Sequence, residues 1–150
     1  MKILQINNHY NYKGGADTVF MNTGQLLEES GHEVIYYSMN EKDSLEHPLK
    51  EKYWPKQKLR VNPFRYFHNK ESSRNLKKII SEFKPQIAHL HIFYGGLSNS
   101  ILPLLKEFQI PVVMTVHDYR MFCPAHNFLD SSGNICELCA TGQYFHCIKK

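Results

Sequence analysis

The chain has 150 residues, of which 42% are hydrophobic and 21% are charged, and its formal net charge is +4. This composition suits one soluble globular domain that is large enough to bury a core. No run reaches the roughly 18 apolar residues of a membrane-spanning helix, and the first residues turn polar too early for a signal peptide. We therefore expect a cytoplasmic protein.

The positive charge is concentrated in one part of the chain. Residues 41–84 contain 12 of the 18 Lys and Arg residues but only 6 of the 14 acidic residues. A basic segment of this kind favours contact with phosphate groups, nucleic acid or an anionic membrane surface, although a solvated face is the more ordinary explanation of scattered lysines.

The first part of the chain predicts a strand, a glycine loop, a helix and a second strand. Residues 2–6 form a β-favouring run, and a polar loop follows that ends in Gly14 and Gly15. A helix is predicted from there to Gly31, and a strand over 32–38. The apolar residues that mark this helix by their spacing are Val19, Phe20, Leu26 and Leu27.

Residues 40–70 interrupt this periodicity with three prolines and with basic residues mixed among aromatic ones. Because so many aromatic side chains must be covered by the domain or by a ligand, the pattern predicts a long excursion rather than a disordered linker.

Strands and helices then alternate again. Residues 76–83 place an apolar stripe on a helix that Pro85 ends, and residues 86–93 supply a strand. Another amphipathic helix follows, with Pro103 in its first turn or at a kink, before the β-branched run of residues 111–117, which predicts a strand buried on both faces. The alternation predicts an α/β domain with a mainly parallel sheet and ligands at the carboxyl ends of its strands.

Three features follow those strand ends. Gly14 and Gly15 would let backbone N–H groups face a phosphate, but the pattern is not G-x-G-x-x-G, and a plain turn is the alternative. His91 is either a site residue or a core histidine. His117 and Asp118 would bring an imidazole and a carboxylate to a ligand hydroxyl, or would simply end a strand.

All four cysteines, namely Cys123, Cys136, Cys139 and Cys147, fall within the last 28 residues. This clustering indicates that the cysteines stabilise or serve one local segment and do not form a disulfide framework for the whole fold. The Cys-x2-Cys pair is half of a zinc-knuckle pattern, in which Cys123, His126 or His146 would complete the ligands. Structural zinc and a cluster of reduced thiols are both open, and a disulfide is less favoured.

Several segments together resemble the N-terminal domain of family 4 (group 1) glycosyltransferases. They are KILQINN, KGGAD, SGHEVIYYS, PQIAHLHIF and, most specifically, PVVMTVHDYRMFCP with the later CELC, which is similar to a bacterial subgroup that makes surface polysaccharides. The resemblance covers nearly the whole chain. It implies the N-terminal half of a GT-B fold: one three-layer Rossmann-like acceptor-side domain over residues 1–150, with an irregular Cys-containing loop region over 118–150.

The resemblance also implies the reaction and its participants. We expect a retaining hexosyltransferase that uses a nucleotide-sugar donor and, as no Asp-x-Asp motif occurs, no catalytic metal. The donor-binding domain is expected beyond residue 150, so these residues alone should be inactive. The predicted site residues are Gly14 and Gly15 for the donor, His117 and Asp118 for catalysis, and His91, Tyr119 and Arg120 for the acceptor.

The expected partners are a glycan or lipid-linked acceptor, the C-terminal domain and the inner membrane surface. The residues of the 40–70 excursion that motivate acceptor or membrane contact are Trp54, Arg60, Phe64, Arg65 and Phe67. One alternative is a stand-alone α/β module that binds a phosphorylated small molecule. A nucleic-acid-binding protein is the weakest alternative, because the chain outside residues 41–84 is slightly acidic, so no nucleic-acid partner is expected.

Overall fold

Strands and helices alternate through the first of the two units into which the chain divides, Met1–Thr115 and Val116–Lys150. The computed structural model describes residues 1–56, 67–143 and 147. The first unit contains β1 (Lys2–Ile6), α1 (Gly15–Glu29), β2 (Glu33–Tyr37), α2 (Lys50–Tyr53), α3 (Lys70–Phe83), β3 (Ile87–Leu90), α4 (Ile101–Glu107) and β4 (Val112–Met114). In the second unit, a 3-10 helix spans Leu138–Thr141.

The four strands form one parallel sheet in the order β2-β1-β3-β4. Ile3 of β1 is in register with Val34 on one side and Ile87 on the other, so β1 lies inside the sheet. Leu4 and Ile6 are fully buried as a result. The predicted α/β class with a parallel sheet is confirmed.

The helix α3 shows how local sequence sets its limits. The Asn69 side chain accepts a hydrogen bond from the Ser72 backbone N–H at 3.2 Å, which caps the first turn. Lys84 takes a left-handed conformation at the other end, immediately before Pro85. The predicted apolar stripe is confirmed, because Leu76, Ile79 and Ile80 are all buried.

The helix α1 is present as predicted, but two of the four residues that predicted it do not face the core. Val19 and Leu26 are 44% and 62% exposed, whereas Phe20 is fully buried. The Phe20 ring contacts the rings of Tyr10 and Tyr36, and these contacts set which face of α1 is inside.

The strand predicted over 111–117 is shorter and less buried than expected. β4 covers only Val112–Met114, and Val112 and Val113 are 45% and 50% exposed. The expectation of burial on both faces was wrong because β4 is the last strand in the order β2-β1-β3-β4 and, among the described residues, pairs with β3 alone. His117 therefore lies three residues beyond the strand end rather than on it. β3 is likewise shorter than the predicted 86–93, so His91 follows the strand.

The first part of the 40–70 excursion belongs to the core. Tyr53 and Trp54 are each only 2% exposed, and Trp54 Nε1 donates to the Tyr36 backbone oxygen at 3.0 Å. The expectation that Trp54 contacts an acceptor or a membrane was wrong for this reason. Phe67 is 69% exposed, and the predicted contacts of residues 57–66 lie outside the described residues. No helix in the described part of the chain is both long and apolar enough to cross a membrane.

Candidate functional site

The loop after β1 is fixed by Asn7, which is fully buried at the carboxyl edge of the sheet. Its side-chain amide donates to the His9 backbone oxygen at 2.8 Å and to Asp17 Oδ1 at 2.9 Å. Its Oδ1 accepts from the Ile92 backbone N–H at 3.0 Å. One side chain therefore joins the loops after β1 and β3 to the first turn of α1, at the edge where parallel sheets bind ligands.

Asn8 makes a second connection between the same two loops. Its Nδ2 donates to the Tyr94 backbone oxygen at 2.8 Å, and its Oδ1 accepts from the Leu97 backbone N–H at 2.9 Å. A Cβ at Gly96 would lie 2.7 Å from Asn8 Oδ1 and 3.1 Å from Met39 Cγ. Position 96 therefore requires glycine because of this close approach.

Gly14 and Gly15, by contrast, are not required by the fold. Gly14 caps α1 in an extended conformation that other residues adopt, and it offers no side-chain cap. A Cβ at Gly15 would meet nothing within 4 Å, and one at Gly14 would make only an ordinary contact with Asp17 Oδ2 at 3.7 Å. Both glycines are exposed, so the backbone N–H groups of the first turn of α1 have an open approach.

Asp17 limits what charge this helix end can attract. It is buried in the first turn of α1, where a carboxylate offsets the positive end of the helix dipole. The site therefore carries both hydrogen-bond donors and carboxylate acceptors. Such a mixture suits hydroxyl groups better than it suits an isolated phosphate.

A histidine and a buried glutamate form an ion pair in the same loop region. The His9 ring donates from Nδ1 to Glu41 Oε2 at 2.6 Å, and Glu41 is only 6% exposed. The hydrogen bond to Glu41 raises the pKa of His9 above its ordinary value, although burial acts in the opposite direction. The Asp17 charge also raises it, whereas the Lys13 charge lowers it.

Asn11 provides a buried donor beside the glycine pair. Its Oδ1 accepts from the Lys13 backbone N–H at 3.2 Å, and Lys13 forms an ion pair with Asp43. Asn11 Nδ2 has no hydrogen-bond partner in the described part of the chain, although the residue is only 6% exposed. Buried amides of this kind are rarely left unsatisfied, so this amide is a candidate contact for a ligand.

His91 belongs to a row of hydrogen-bonded polar side chains near the carboxyl edge of the sheet. It is fully buried, and its Nε2 lies 3.2 Å from Gln5 Oε1. Gln5 Nε2 lies 3.2 Å from His89 Nδ1, and His89 Nε2 lies 2.8 Å from Thr115 Oγ1. The amide orientation makes His91 Nε2 a donor and His89 Nδ1 an acceptor. Direct acceptor contact by His91 stays a prediction and would need its neighbours to move.

The other predicted site residues belong to the second unit. Asp118 Oδ1 accepts from the Arg120 backbone N–H at 2.9 Å, and Asp118 Oδ2 lies 3.6 Å from Arg120 Nη2. Tyr119 is 53% exposed, and its ring contacts Phe128 with the centroids 4.9 Å apart. The Asp118 carboxylate thus orders the turn that follows His117. The catalytic roles of His117 and Asp118 and the acceptor roles of Tyr119 and Arg120 stay predictions.

All four cysteines are free thiols. Burial raises the pKa of the Cys139 thiol, and the charges of Cys147, Cys123 and Cys136 act in the same direction. Among the described residues, no three His, Cys, Asp or Glu side chains are arranged so that they could hold a metal ion as they stand.

Sequence reasoning missed four residues of this edge, Asn11, Asp17, His9 and Glu41. Asn11, Asp17 and His9 lie in or beside the glycine loop, but the sequence gave no sign that Asn11 and Asp17 are buried or that His9 is half-buried. Glu41 is 32 residues from His9 along the chain, and only the fold brings the two together.

Comparison with known proteins points to one family. Residues 13–133 match the profile of Glycosyltransferase Family 4. A solved structure, "Crystal structure of acinetobacter baumannii MurG", is similar in fold, with a TM-score of 0.52 at 16% identity over 78% of this chain. The chain spans 35% of the length of that MurG chain. Comparison with curated proteins gave no significant match. Because the family match extends over most of its length, the chain belongs to glycosyltransferase family 4.

Proposed function

We propose that the chain is the acceptor-side domain of a retaining glycosyltransferase. The enzyme transfers a sugar, of the hexosyl class, from a nucleotide-sugar donor to a glycan or lipid-linked acceptor, and it serves the biosynthesis of a bacterial surface polysaccharide. A C-terminal donor-binding domain completes the active site, and no catalytic metal takes part. Family membership supports the reaction class, and the polar carboxyl edge of the first unit supports the place where the substrates bind.

The observation that carries the proposal is the open glycine pair beside buried polar side chains. Neither packing nor backbone conformation requires glycine at positions 14 and 15, so their small size serves something outside the described fold. The unpaired Asn11 amide and the His9 imidazole lie in the same loop. A sugar offers hydroxyl groups to such donors and acceptors, and its diphosphate can approach bare backbone N–H groups.

The Asp17 carboxylate also affects how the negative charge of the donor diphosphate is neutralised. Because it offsets the positive end of α1, this helix end cannot neutralise a diphosphate by itself. We assign most of the compensating charge to basic side chains and helix ends of the second domain. Because those groups belong to the second domain, residues 1–150 are inactive without it.

His117 and Asp118 are the residues we propose for the chemical step. The His117 imidazole would donate to the sugar in the transition state, and Asp118 would keep the connecting turn in place through its bonds to Arg120. Loss of one such donor costs roughly 10²-fold to 10³-fold in turnover.

The experiment measures sugar transfer and donor hydrolysis by the full-length gene product with a panel of nucleotide sugars. We expect His117→Ala to lose turnover by about 10²-fold while donor affinity, measured by calorimetry, stays within about threefold. His126→Ala, in the same unit, is the matched control. Full activity of His117→Ala would refute the assigned role. Absence of any turnover, with tight binding of a phosphorylated small molecule by residues 1–150 alone, would favour the stand-alone binding module.

A further inference from the structure

His9 has one ring nitrogen bound inside the domain and the other available to a ligand. Its Nδ1 donates to Glu41 Oε2 at 2.6 Å, and the Glu41 side chain is only 5% exposed, whereas that of His9 is 37% exposed. Because Nδ1 faces the buried carboxylate, the exposed edge of the ring carries Nε2. This nitrogen has no hydrogen-bond partner among residues 1–56, 67–143 and 147, and it lies at the edge where parallel sheets bind ligands.

The carboxylate beside His9 is held in place by the loop that carries it. Glu41 N–H donates to Ser44 Oγ at 3.1 Å, and Leu45 N–H donates to the Tyr10 oxygen at 2.9 Å. These bonds fasten the segment after β2 to the loop after β1. A buried ion pair seldom adds stability that apolar residues would not supply equally well. Stability therefore does not explain the pair, whereas contact with a ligand through Nε2 does.

The charges around His9 favour a neutral ligand group over a phosphate. The charged groups that face its ring are Glu41 and Asp43 from the segment after β2, Asp17 from α1, and Lys13 from its own loop. Lys13 forms an ion pair with Asp43, so the two buried carboxylates set the local charge. They repel a diphosphate but not a sugar hydroxyl. Any hydroxyl of the donor sugar lies within one ring of its diphosphate, so the acceptor is the better match.

The bond to Glu41 also fixes which ring nitrogen carries the proton. An ionised carboxylate only accepts hydrogen bonds, so neutral His9 keeps its proton on Nδ1 and Nε2 becomes an acceptor. Two residues along the same loop, Asn11 Nδ2 is a buried donor without a hydrogen-bond partner in the described part of the chain. An accepting nitrogen and a free donor match sugar hydroxyl groups, each of which both donates and accepts.

We propose that His9 binds a hydroxyl group of the acceptor substrate through Nε2, and that Glu41 is the positioning residue that holds the ring in its accepting form. The contact rests on the proposed glycosyltransferase function, and it gives the loop after β1 a part in choosing the acceptor. Protonation of Nε2 removes the accepting atom. Because the hydrogen bond to Glu41 raises the pKa of His9, acceptor binding weakens at a higher pH than it would beside an unperturbed histidine.

The first experiment measures transfer from a nucleotide sugar that the full-length protein hydrolyses, with methyl glycosides of the common hexoses as acceptor probes. His9→Asn keeps an amide donor for Glu41 but removes Nε2. We expect it to raise the acceptor KM about tenfold, the effect of losing one hydrogen bond to substrate, while donor hydrolysis stays within about twofold. His32→Asn is the matched control, because His32 precedes β2 at the opposite edge of the sheet and contacts the Met1 amine.

The outcomes separate this contact from the function on which it rests. An unchanged acceptor KM in His9→Asn, or a fall in donor hydrolysis as large as the fall in transfer, would overturn the contact. Absence of donor hydrolysis by the wild type would instead count against the glycosyltransferase function itself.

A second measurement needs no turnover. NMR spectra of the full-length protein with ¹⁵N-labelled histidine should show neutral His9 with its proton on Nδ1, and the Nε2 signal should shift when a glycoside is added. Glu41→Gln removes the negative charge, so the pH midpoint of glycoside binding should move to lower pH. A proton on Nε2 of neutral His9, an Nε2 signal that no glycoside shifts, or an unmoved midpoint in Glu41→Gln would refute the proposed contact.

Discussion

Substitution of Trp54 tests the finding that this residue belongs to the core. Its ring is stacked on His47 with an interplanar angle of 12° and a centroid distance of 5.2 Å, and it also contacts Tyr10. We expect Trp54→Ala to lower the free energy of unfolding by about 3–5 kcal/mol, the cost of truncating a buried aromatic residue. Trp54→Phe keeps part of the packing but leaves the Tyr36 oxygen without its indole donor, which costs about 1–3 kcal/mol.

The assay is urea denaturation of residues 1–150, followed by far-ultraviolet circular dichroism. Trp54 is the one tryptophan of the chain, so its fluorescence reports its burial directly. Phe67→Ala is the matched control, because Phe67 is 69% exposed and its loss should change stability by about 0.5 kcal/mol or less.

Liposome binding separates this core role from the membrane contact that the sequence predicts for Arg60, Phe64, Arg65 and Phe67. Anionic vesicles should leave the Trp54 emission unchanged, while Arg60→Ala combined with Arg65→Ala should weaken vesicle binding of the full-length protein. A blue shift of the Trp54 emission on vesicles, or a stability of Trp54→Ala within 1 kcal/mol of the wild type, would show that the core assignment is wrong.

Three further predictions concern the loops of the carboxyl edge. Gly96→Ala should lower stability by about 1–3 kcal/mol, because the hydrogen bonds of Asn8 prevent it from moving aside; Gly15→Ala should leave the urea midpoint unchanged but reduce turnover of the complete enzyme, and equal turnover would argue against donor contact there. Glu41→Gln should lower the pKa of His9 in an NMR titration. Because the pKa of His9 is raised in the folded state, the ion pair stabilises the fold below about pH 6.5, and this stabilisation is lost as the pH rises through the raised pKa. If the wild type instead became more stable than Glu41→Gln as the pH rises, the ion pair would be contradicted.

The periodicity of the sequence was sufficient to locate most of the strands and helices. β1 and α3 coincide closely with their patterns because each buries one continuous set of side chains. The sequence could not show that β4 is an edge strand, because Val112 and Val113 are residues typical of a central strand. Only the order of the strands places β4 at the edge of the sheet. Local pattern identifies a strand, whereas its neighbours decide its burial.

The site was predicted less completely than the fold. The glycine pair and the polar loop were visible because they are local in the chain. The connections of Asn7 to Ile92 and of Asn8 to Leu97 span 85 and 89 residues, and nothing in either segment specifies them. Trp54 was misassigned because an aromatic residue among basic ones has the same sequence pattern in a core as at a membrane surface.

The central place of β1 has a consequence for synthesis on the ribosome. β1 is translated before both of its neighbours, and one of them, β3, pairs with it 84 residues further along the chain, as Ile3 does with Ile87. Such long-range parallel pairing is slow, because a large loop must close before any contact compensates for it. Until β3 has left the exit tunnel, the buried side chains of β1 have only β2 and α1 to cover them. The nascent chain is therefore most exposed to aggregation and to chaperones during this interval.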